Sequence, residues 1–148
     1  MNKIVTTGSA EETMALAREF ALKLKRGDVI ALYGELGSGK TQFTKGVCSA
    51  FSAAVPATSP SFVILNRYDC MDNGNRELLI YHFDLYRIRS AEEIYDLGYE
   101  ELLFGGNICL IEWAEVLGGM LPEPRYDIHF QYGKHENERI IEISGVGI

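Results

Sequence analysis

The sequence predicts an α/β fold in which helices flank a mixed β-sheet, and three observations support this class. Early in the chain, amphipathic helical patterns alternate with short apolar strand patterns. In the middle and at the end, pairs of strand-like runs are separated by polar turns, which is typical of antiparallel hairpins. The short run 108–111 is apolar throughout, as expected for a strand buried on both faces.

The first predicted elements are a helix, a strand and a second helix. Ser9 and Glu12 form a capping box, and apolar residues recur behind it at helical spacing until Gly27 ends the run. Residues 28–33 predict a buried strand, and residues 42–51 predict a helix. A glycine-rich loop joins these last two elements.

The middle of the chain predicts a hairpin. Strand patterns cover 62–68 and 78–85, and the turn residues 72–75 lie between them. Alternation along the second strand places His82 and Asp84 on one face and Tyr81 and Phe83 on the other.

The last third predicts two short helices and a closing hairpin. A capping box at Ser90 and Glu93 opens a helix that ends near Gly98, and residues 99–104 predict another helical turn or two. The closing antiparallel hairpin is predicted from two alternating runs, 126–132 and 139–144.

Length, composition and charge narrow the class of protein. At 148 residues, with 47% hydrophobic and 24% charged residues, the chain is expected to form one globular domain over 1–148. A formal net charge of −7 disfavours strong direct nucleic-acid binding. No apolar run reaches membrane-spanning length, and the three widely spaced cysteines indicate a reducing, cytoplasmic environment.

The glycine-rich loop 34–41 matches the phosphate-binding pattern G-x-x-x-x-G-K-[ST] at every fixed position. The glycines allow backbone N–H groups to surround a triphosphate, Lys40 can reach the β- and γ-phosphates, and Thr41 can ligate Mg²⁺. With the strand before it and the helix after it, this loop predicts a P-loop NTPase-like sheet. The residues predicted to bind the nucleotide here are Glu35, Leu36, Gly37, Ser38, Gly39, Lys40, Thr41 and Gln42.

Hydrolysis also needs acids that hold Mg²⁺ and position the attacking water. Asp84 ends an apolar strand, where a Walker-B-type carboxylate is expected, and Glu112 directly follows another. Because ligands bind at the carboxyl ends of strands in open α/β sheets, both acids are predicted to face the loop. Lys40, Asp84 and Glu112 are therefore the catalytic candidates, and Thr41, Asp84 and Glu112 are the metal-ligand candidates.

Simpler roles remain open for several of these residues. Asp84 can be a turn or cap residue, Glu112 can open a helix, and His82 can satisfy a neighbour in the core or contact the ligand region. Trp113 can be a packing residue or can contact a partner protein. The sequence does not decide which of the two acids positions the water.

Five segments together resemble one known family. These are 34–41, Ser59-Pro60-Ser61-Phe62, His82-Phe83-Asp84-Leu85-Tyr86-Arg87, Glu92–Leu97, and Leu110-Ile111-Glu112-Trp113-Ala114-Glu115 with the later Leu121-Pro122. In order and spacing they resemble the small P-loop ATPase family of bacterial tRNA threonylcarbamoyladenosine synthesis, known as TsaE or YjeE. The likeness covers nearly the whole chain.

The resemblance implies specific roles. Thr41 and Asp84 match the family's Mg²⁺-associated positions, Glu112 its essential acid, Trp113 the tryptophan near the nucleotide, and 59–62 its switch-like loop. The implied partners are a metal-containing threonylcarbamoyl transferase subunit (TsaD-like) and its inactive paralogue (TsaB-like). ATP hydrolysis with Mg²⁺ is expected to support repeated turnover of that complex.

Small departures from the family pattern leave the phosphate site complete. Glu35 and Ser38 stand where Asp and Ala are commoner, Gln42 replaces a usual Thr, and Ala114 stands where Pro is frequent. None of these changes removes the lysine, the Mg²⁺-binding hydroxyl or a backbone donor.

Two other functions are compatible with a P-loop. A small-molecule kinase would need an acceptor pocket and an arginine-bearing lid, and no arginine-rich lid segment is visible. A non-catalytic docking module would use ATP only to order the segment 59–62. The lack of a guanine-reading N-K-x-D segment favours ATP over GTP.

Overall fold

A computed structural model describes residues 2–35, 37–53, 65–72, 74–96, 98–103 and 105–145. Within these residues the strands are β1 (Asn2–Thr7), β2 (Val29–Tyr33), β3 (Leu65–Met71), β4 (Glu77–Asp84), β5 (Ile108–Glu112), β6 (Tyr126–Tyr132) and β7 (Arg139–Gly145). The helices are α1 (Ala10–Ala21), α2 (Lys40–Ala50), α3 (Ala91–Tyr95) and α4 (Tyr99–Leu103). In these ranges no helix combines the length and apolar character needed to cross a membrane.

The seven strands form one mixed sheet in the order β1-β7-β6-β2-β5-β4-β3, which confirms the predicted fold class. The inner strands β6, β2, β5 and β4 pair in parallel, whereas both outer parts of the sheet are antiparallel. β2 therefore has a parallel neighbour on each side. The loop that follows it emerges at the centre of the carboxyl edge, where ligands bind in such sheets.

Both predicted hairpins are confirmed, as β3 with β4 and β6 with β7. Residues 62–64 of the predicted first hairpin strand lie outside the described residues. β1 has no counterpart among the predicted elements. Of its six residues only Thr7 is buried, so β1 has no periodic buried face, and it pairs with β7 from the far end of the chain.

The two predicted helix starts differ in outcome. At α1 the backbone N–H of Glu12 donates to Ser9 Oγ at 3.1 Å, and Glu12 Oε2 accepts from the N–H of Gly8 at 2.9 Å. At α3 Ser90 occupies the N-cap position as predicted, but the capping box was wrong, because the Ser90 side chain makes no cap hydrogen bond. Glu93 there turns to the N–H of Arg89 instead, at 3.4 Å. α3 still begins directly after Ser90.

Each face of the sheet buries its own apolar cluster. Along β2, Ile30 and Leu32 pack with α1 and α2, whereas Val29 and Ala31 pack with the side of α3 and α4. This alternation explains why β2 is apolar at every position, since a central parallel strand has no solvent-facing side. The helices therefore flank the sheet, as predicted.

Helices α1 and α2 approach each other closely at Gly46. A Cβ atom at this position would lie 2.5 Å from both the Ala17 Cβ and the Met14 carbonyl oxygen. Only a hydrogen fits there, so glycine sets the distance between the two helices. This contact brings the start of α1 beside the start of α2.

Candidate nucleotide-binding site

The loop between β2 and α2 has a backbone that requires glycine. Gly34, Gly37 and Gly39 have φ angles of 150°, 77° and 112°. A Cβ on Gly34 would lie 2.6 Å from Ser38 Oγ and 2.9 Å from the Phe130 carbonyl oxygen. The loop passes directly into the first turn of α2, whose N–H groups have no partner within the helix and favour an anion.

Lys40, the first residue of α2, is buried at the mouth of this loop, with 4% of its surface exposed. Its Nζ donates to the Gly34 carbonyl oxygen at 2.6 Å and lies 4.0 Å from the centre of the Trp113 ring. Burial lowers the pKa of Lys40, and the carboxylates of Glu112, Asp84 and Glu115 act in the opposite direction. The ammonium is thus held between the loop, an aromatic face and nearby acids.

Asp84 and Glu112 stand side by side at the ends of neighbouring parallel strands. They are register partners across β4 and β5, and Glu112 is also the partner of Leu32 on β2. Burial, followed by the Glu112 carboxylate, raises the pKa of Asp84, although the N–H of Tyr86 donates to Asp84 Oδ1 at 3.1 Å. The predicted meeting of these acids with the P-loop is therefore present in the structure.

Glu112 has a second close neighbour, the imidazole of His82. The distance from His82 Nε2 to Glu112 Oε2 is 2.5 Å, and both side chains are buried. Sequence alternation placed His82 on the face of β4 that carries Asp84. Its contact with Glu112 could not be predicted in this way, because it requires β4 and β5 to be neighbours in the sheet.

Trp113 adopts a left-handed backbone conformation, with φ 59° and ψ 41°, immediately after β5. A bulky residue rarely takes this conformation, and such strained positions cluster at functional sites. The indole ring contacts Lys40 Nζ, and its centre lies 5.1 Å from that of the exposed Tyr86 ring. Trp113 also packs against the apolar cluster below it, so the packing role and the site contact coexist.

These residues surround a cavity of about 330 Å³. The predicted residues that line it are Gly37, Gly39, Lys40, Thr41, Gln42, Asp84, Glu112 and Trp113. The Glu35 side chain is exposed, the Ser38 side chain is buried, and Leu36 lies outside the described residues. Neither Glu35 nor Ser38 is among the residues that line the cavity.

Two further groups line the same cavity and were not predicted. One is the start of α1, with Ser9, Ala10 and Thr13, and the other is the β6–β7 turn, with Asn137 and Arg139. Arg139 donates to the carbonyl oxygens of Gly37, Glu136 and Glu138 at 2.9–3.2 Å. No local sequence signal marks these residues, because they reach the cavity through the α1–α2 contact and the strand order.

The donor set fits one kind of metal. In the described residues, no group of three or more His, Cys, Asp and Glu side chains is arranged to hold an ion by itself. Mg²⁺ needs no such cage, because it binds through one or two carboxylates together with water and substrate phosphates. Thr41, Asp84 and Glu112 offer oxygen atoms of that type around one cavity.

Comparisons with known proteins agree with this architecture. Residues 7–141 match the model of the family described as threonylcarbamoyl adenosine biosynthesis protein TsaE. A relative named tRNA threonylcarbamoyladenosine biosynthesis protein TsaE, from Rickettsia conorii, is 39% identical over 93% of this chain and 75% of its own length. The Bacillus subtilis protein of that name is 38% identical over 95% of this chain and 84% of its own.

A solved structure agrees as well. The crystal structure of Bacillus subtilis YdiB superposes with a TM-score of 0.77 at 34% identity, covering 99% of this chain and 87% of YdiB. The fold is that of a P-loop NTPase-like protein, with the glycine-rich loop at the centre of the sheet edge. On the family match and the identity to these relatives over most of their length, the chain belongs to the TsaE family.

Proposed function

We propose that this chain is a Mg²⁺-dependent, partner-stimulated ATPase that serves the threonylcarbamoyladenosine modification of tRNA next to the anticodon. The names of its relatives, tRNA threonylcarbamoyladenosine biosynthesis protein TsaE, support the pathway. The observation that supports the activity is the convergence of Lys40, Asp84 and Glu112 on one cavity beside the P-loop. The chain would act as one cytoplasmic domain, in keeping with its three buried free cysteines.

The P-loop residues Glu35–Gln42 would bind the phosphates, mainly through backbone N–H groups. Lys40 would neutralise the β- and γ-phosphates as a point charge. The hydroxyl of Thr41 and the carboxylates of Asp84 and Glu112 would hold Mg²⁺. When bound, Mg²⁺–ATP supplies a reactive γ-phosphate whose developing charge the metal offsets.

Glu112 is the stronger candidate for orienting the attacking water. It is almost fully buried, with 4% of its surface exposed, and its Oε2 is held at 2.5 Å by His82. Asp84 is only partly buried and is tied to the backbone of Tyr86. A fixed, buried carboxylate satisfies the requirement for water positioning better than a half-exposed one.

We expect slow hydrolysis by the isolated chain because none of the arginines considered below is available to stabilise the transferred phosphate. In the described residues Arg139 lines the cavity, but its guanidinium already bonds three backbone carbonyls. Arg87 and Arg89 are exposed and are not among the lining residues. A charge-stabilising arginine or loop would therefore come from the TsaD-like and TsaB-like partners, which can raise the rate by about 10³–10⁵-fold when supplied in trans.

The test is ATP hydrolysis with Mg²⁺ by the chain alone and with both partners. We expect a low rate alone, strong stimulation by the partners, and loss of both in Lys40→Ala. Lys45→Ala, in the same helix but outside the cavity lining, is the matched control and should behave as the unmodified chain. Glu112→Gln should keep ATP affinity and abolish turnover.

Other outcomes would favour the two competing functions. Phosphate transfer to a small metabolite would identify a kinase. ATP-dependent partner binding without hydrolysis, unchanged in Glu112→Gln, would identify a docking module. Tight ATP binding without any stimulation would contradict the proposed partners.

A further inference from the structure

The proposed function uses the contact of His82 with Glu112 but assigns the buried imidazole no role of its own in turnover. His82 lies in β4, two residues before Asp84 and with none of its surface exposed. The register places it opposite Leu110 on β5, so Glu112 lies one step further along on the same face. This diagonal arrangement brings His82 Nε2 to 2.5 Å from Glu112 Oε2.

The hydrogen-bonding groups around His82 determine its role in this pair. An ionised carboxylate can only accept hydrogen bonds, so Nε2 must carry the hydrogen. The other ring nitrogen, Nδ1, is buried and has no hydrogen-bond partner in the part of the chain that the structure describes. The contact with the Glu112 carboxylate therefore assigns the hydrogen of this bond to Nε2.

This bond fixes the orientation of the Glu112 carboxylate. The terminal torsion of a glutamate is broad, so an untethered carboxylate would sample many orientations. With Oε2 bound to His82, Oε1 is the oxygen left for the cavity that Glu112 lines. A water or metal ion at this site would thus meet an oxygen atom in one defined position.

We propose that His82 is a positioning residue, which holds the Glu112 carboxylate in the orientation needed for ATP hydrolysis through its Nε2–H···Oε2 bond. The inference rests on the proposed function, since Glu112 is assigned there as the residue that orients water. A purely structural histidine would stabilise the fold equally but would not matter selectively for turnover.

Two substitutions of similar polarity separate these roles. Glutamine can place its amide N–H near the position of Nε2, whereas asparagine stops near Nδ1 and cannot reach Glu112. We expect His82→Asn to lower kcat by about 10–100-fold, the usual effect of losing an orienting partner, without a change in ATP affinity. His82→Gln should recover most of the lost rate. Equal rate losses in the two variants, or a loss of ATP affinity in place of kcat, would overturn the positioning role.

A readout that does not depend on activity tests the bond directly. The chain has three histidines, and His129 and His135 are exposed, so the signals of ¹⁵N-labelled His82 are separable by their slow exchange. The ring should carry a hydrogen on Nε2, and its Hε2 signal should shift in Glu112→Gln. A ring without a hydrogen on Nε2, or an Hε2 signal that is unchanged in Glu112→Gln, would overturn the inference. Thermal unfolding of each variant checks that it is folded.

The proposed function and the positioning role of His82 are contradicted by different results. If the unmodified chain hydrolyses no ATP with partners and Mg²⁺ present, the proposed function is wrong, and the positioning role is wrong with it. If that chain is active and His82→Asn is equally active, the proposed function stands and only the positioning role is wrong.

Discussion

Gly46→Ala should destabilise this protein, although it places a better helix former in the middle of α2. The added methyl group would lie 2.5 Å from the Ala17 Cβ, 2.5 Å from the Met14 carbonyl oxygen and 3.1 Å from the Met14 Cα. Two of these atoms belong to the backbone of α1. No side-chain rotation can relieve the overlap, so one helix must move.

The size of the effect follows from two opposing contributions. On an isolated helix, replacing glycine by alanine stabilises by about 1 kcal/mol. Carbon atoms in contact normally lie about 3.5–4.0 Å apart, so α1 and α2 would have to separate by about 1 Å. Overpacking costs about 1–3 kcal/mol, and an overlap with backbone falls in the upper part of that range, about 2–3 kcal/mol, so we expect a net loss of about 1–2 kcal/mol. For a chain of this length that corresponds to a decrease of about 2–8 °C in Tm.

Urea and thermal unfolding measure this change, with Gly119→Ala as the matched control. A Cβ at Gly119 meets nothing within 4 Å, so that variant should be as stable as the unmodified chain. Gly46→Ala should also weaken nucleotide binding, because α1 carries Ser9 and Thr13 to the cavity. If Gly46→Ala were as stable as the unmodified chain, or more stable, the steric argument would be refuted.

Two further predictions concern the site. Asp84→Asn should raise the free energy of unfolding at neutral pH, because burial raises the pKa of Asp84 and the native state pays for its charge. Because the folded protein binds the Asp84 proton more tightly than the unfolded chain does, the added stability of Asp84→Asn should vanish below the ordinary pKa of an aspartate. Urea unfolding at several pH values checks this, and added stability that increased in acid would contradict it. Trp113→Ala should weaken ATP binding more than Trp113→Phe, because an aromatic ring can keep the contact with Lys40 Nζ; calorimetric titration that gave equal affinities would count against this.

Much of the fold could be predicted because its signals are local. Each such signal depends only on residues that are close together in the sequence. Examples are the apolar runs of β2 and β5, the alternation of β6 and β7, and the Ser9 cap. β1 could not be predicted, since its strand conformation depends on hydrogen bonds to β7. The capping box at Ser90 was wrong for a local reason. Its sequence pattern is present, but Glu93 accepts from the N–H of Arg89 and the Ser90 side chain makes no cap hydrogen bond.

Some residues of the site could likewise be predicted from local signals, and others could not. Lys40, Asp84 and Glu112 could be brought together from sequence because the carboxyl ends of parallel strands share an edge. The contact between His82 and Glu112 could not, because it requires β4 to lie beside β5. Arg139 and Thr13 reach the cavity only through contacts between distant parts of the chain, at the β6–β7 turn and at the α1–α2 interface.

The charges of the site suggest why a divalent cation should accompany the nucleotide. Lys40 contributes one positive charge, whereas Asp84 and Glu112 together contribute two negative charges, so the three side chains carry a net formal charge of −1. Free ATP would bring several more negative charges toward two carboxylates that are partly shielded from water, where repulsion is poorly screened. A Mg²⁺ ion held by these oxygen atoms would reverse the sign of both carboxylate contributions, since the acids would then bind the phosphates through the metal instead of repelling them. On the proposed function, the two acids would therefore favour the metal-bound form of ATP over free ATP.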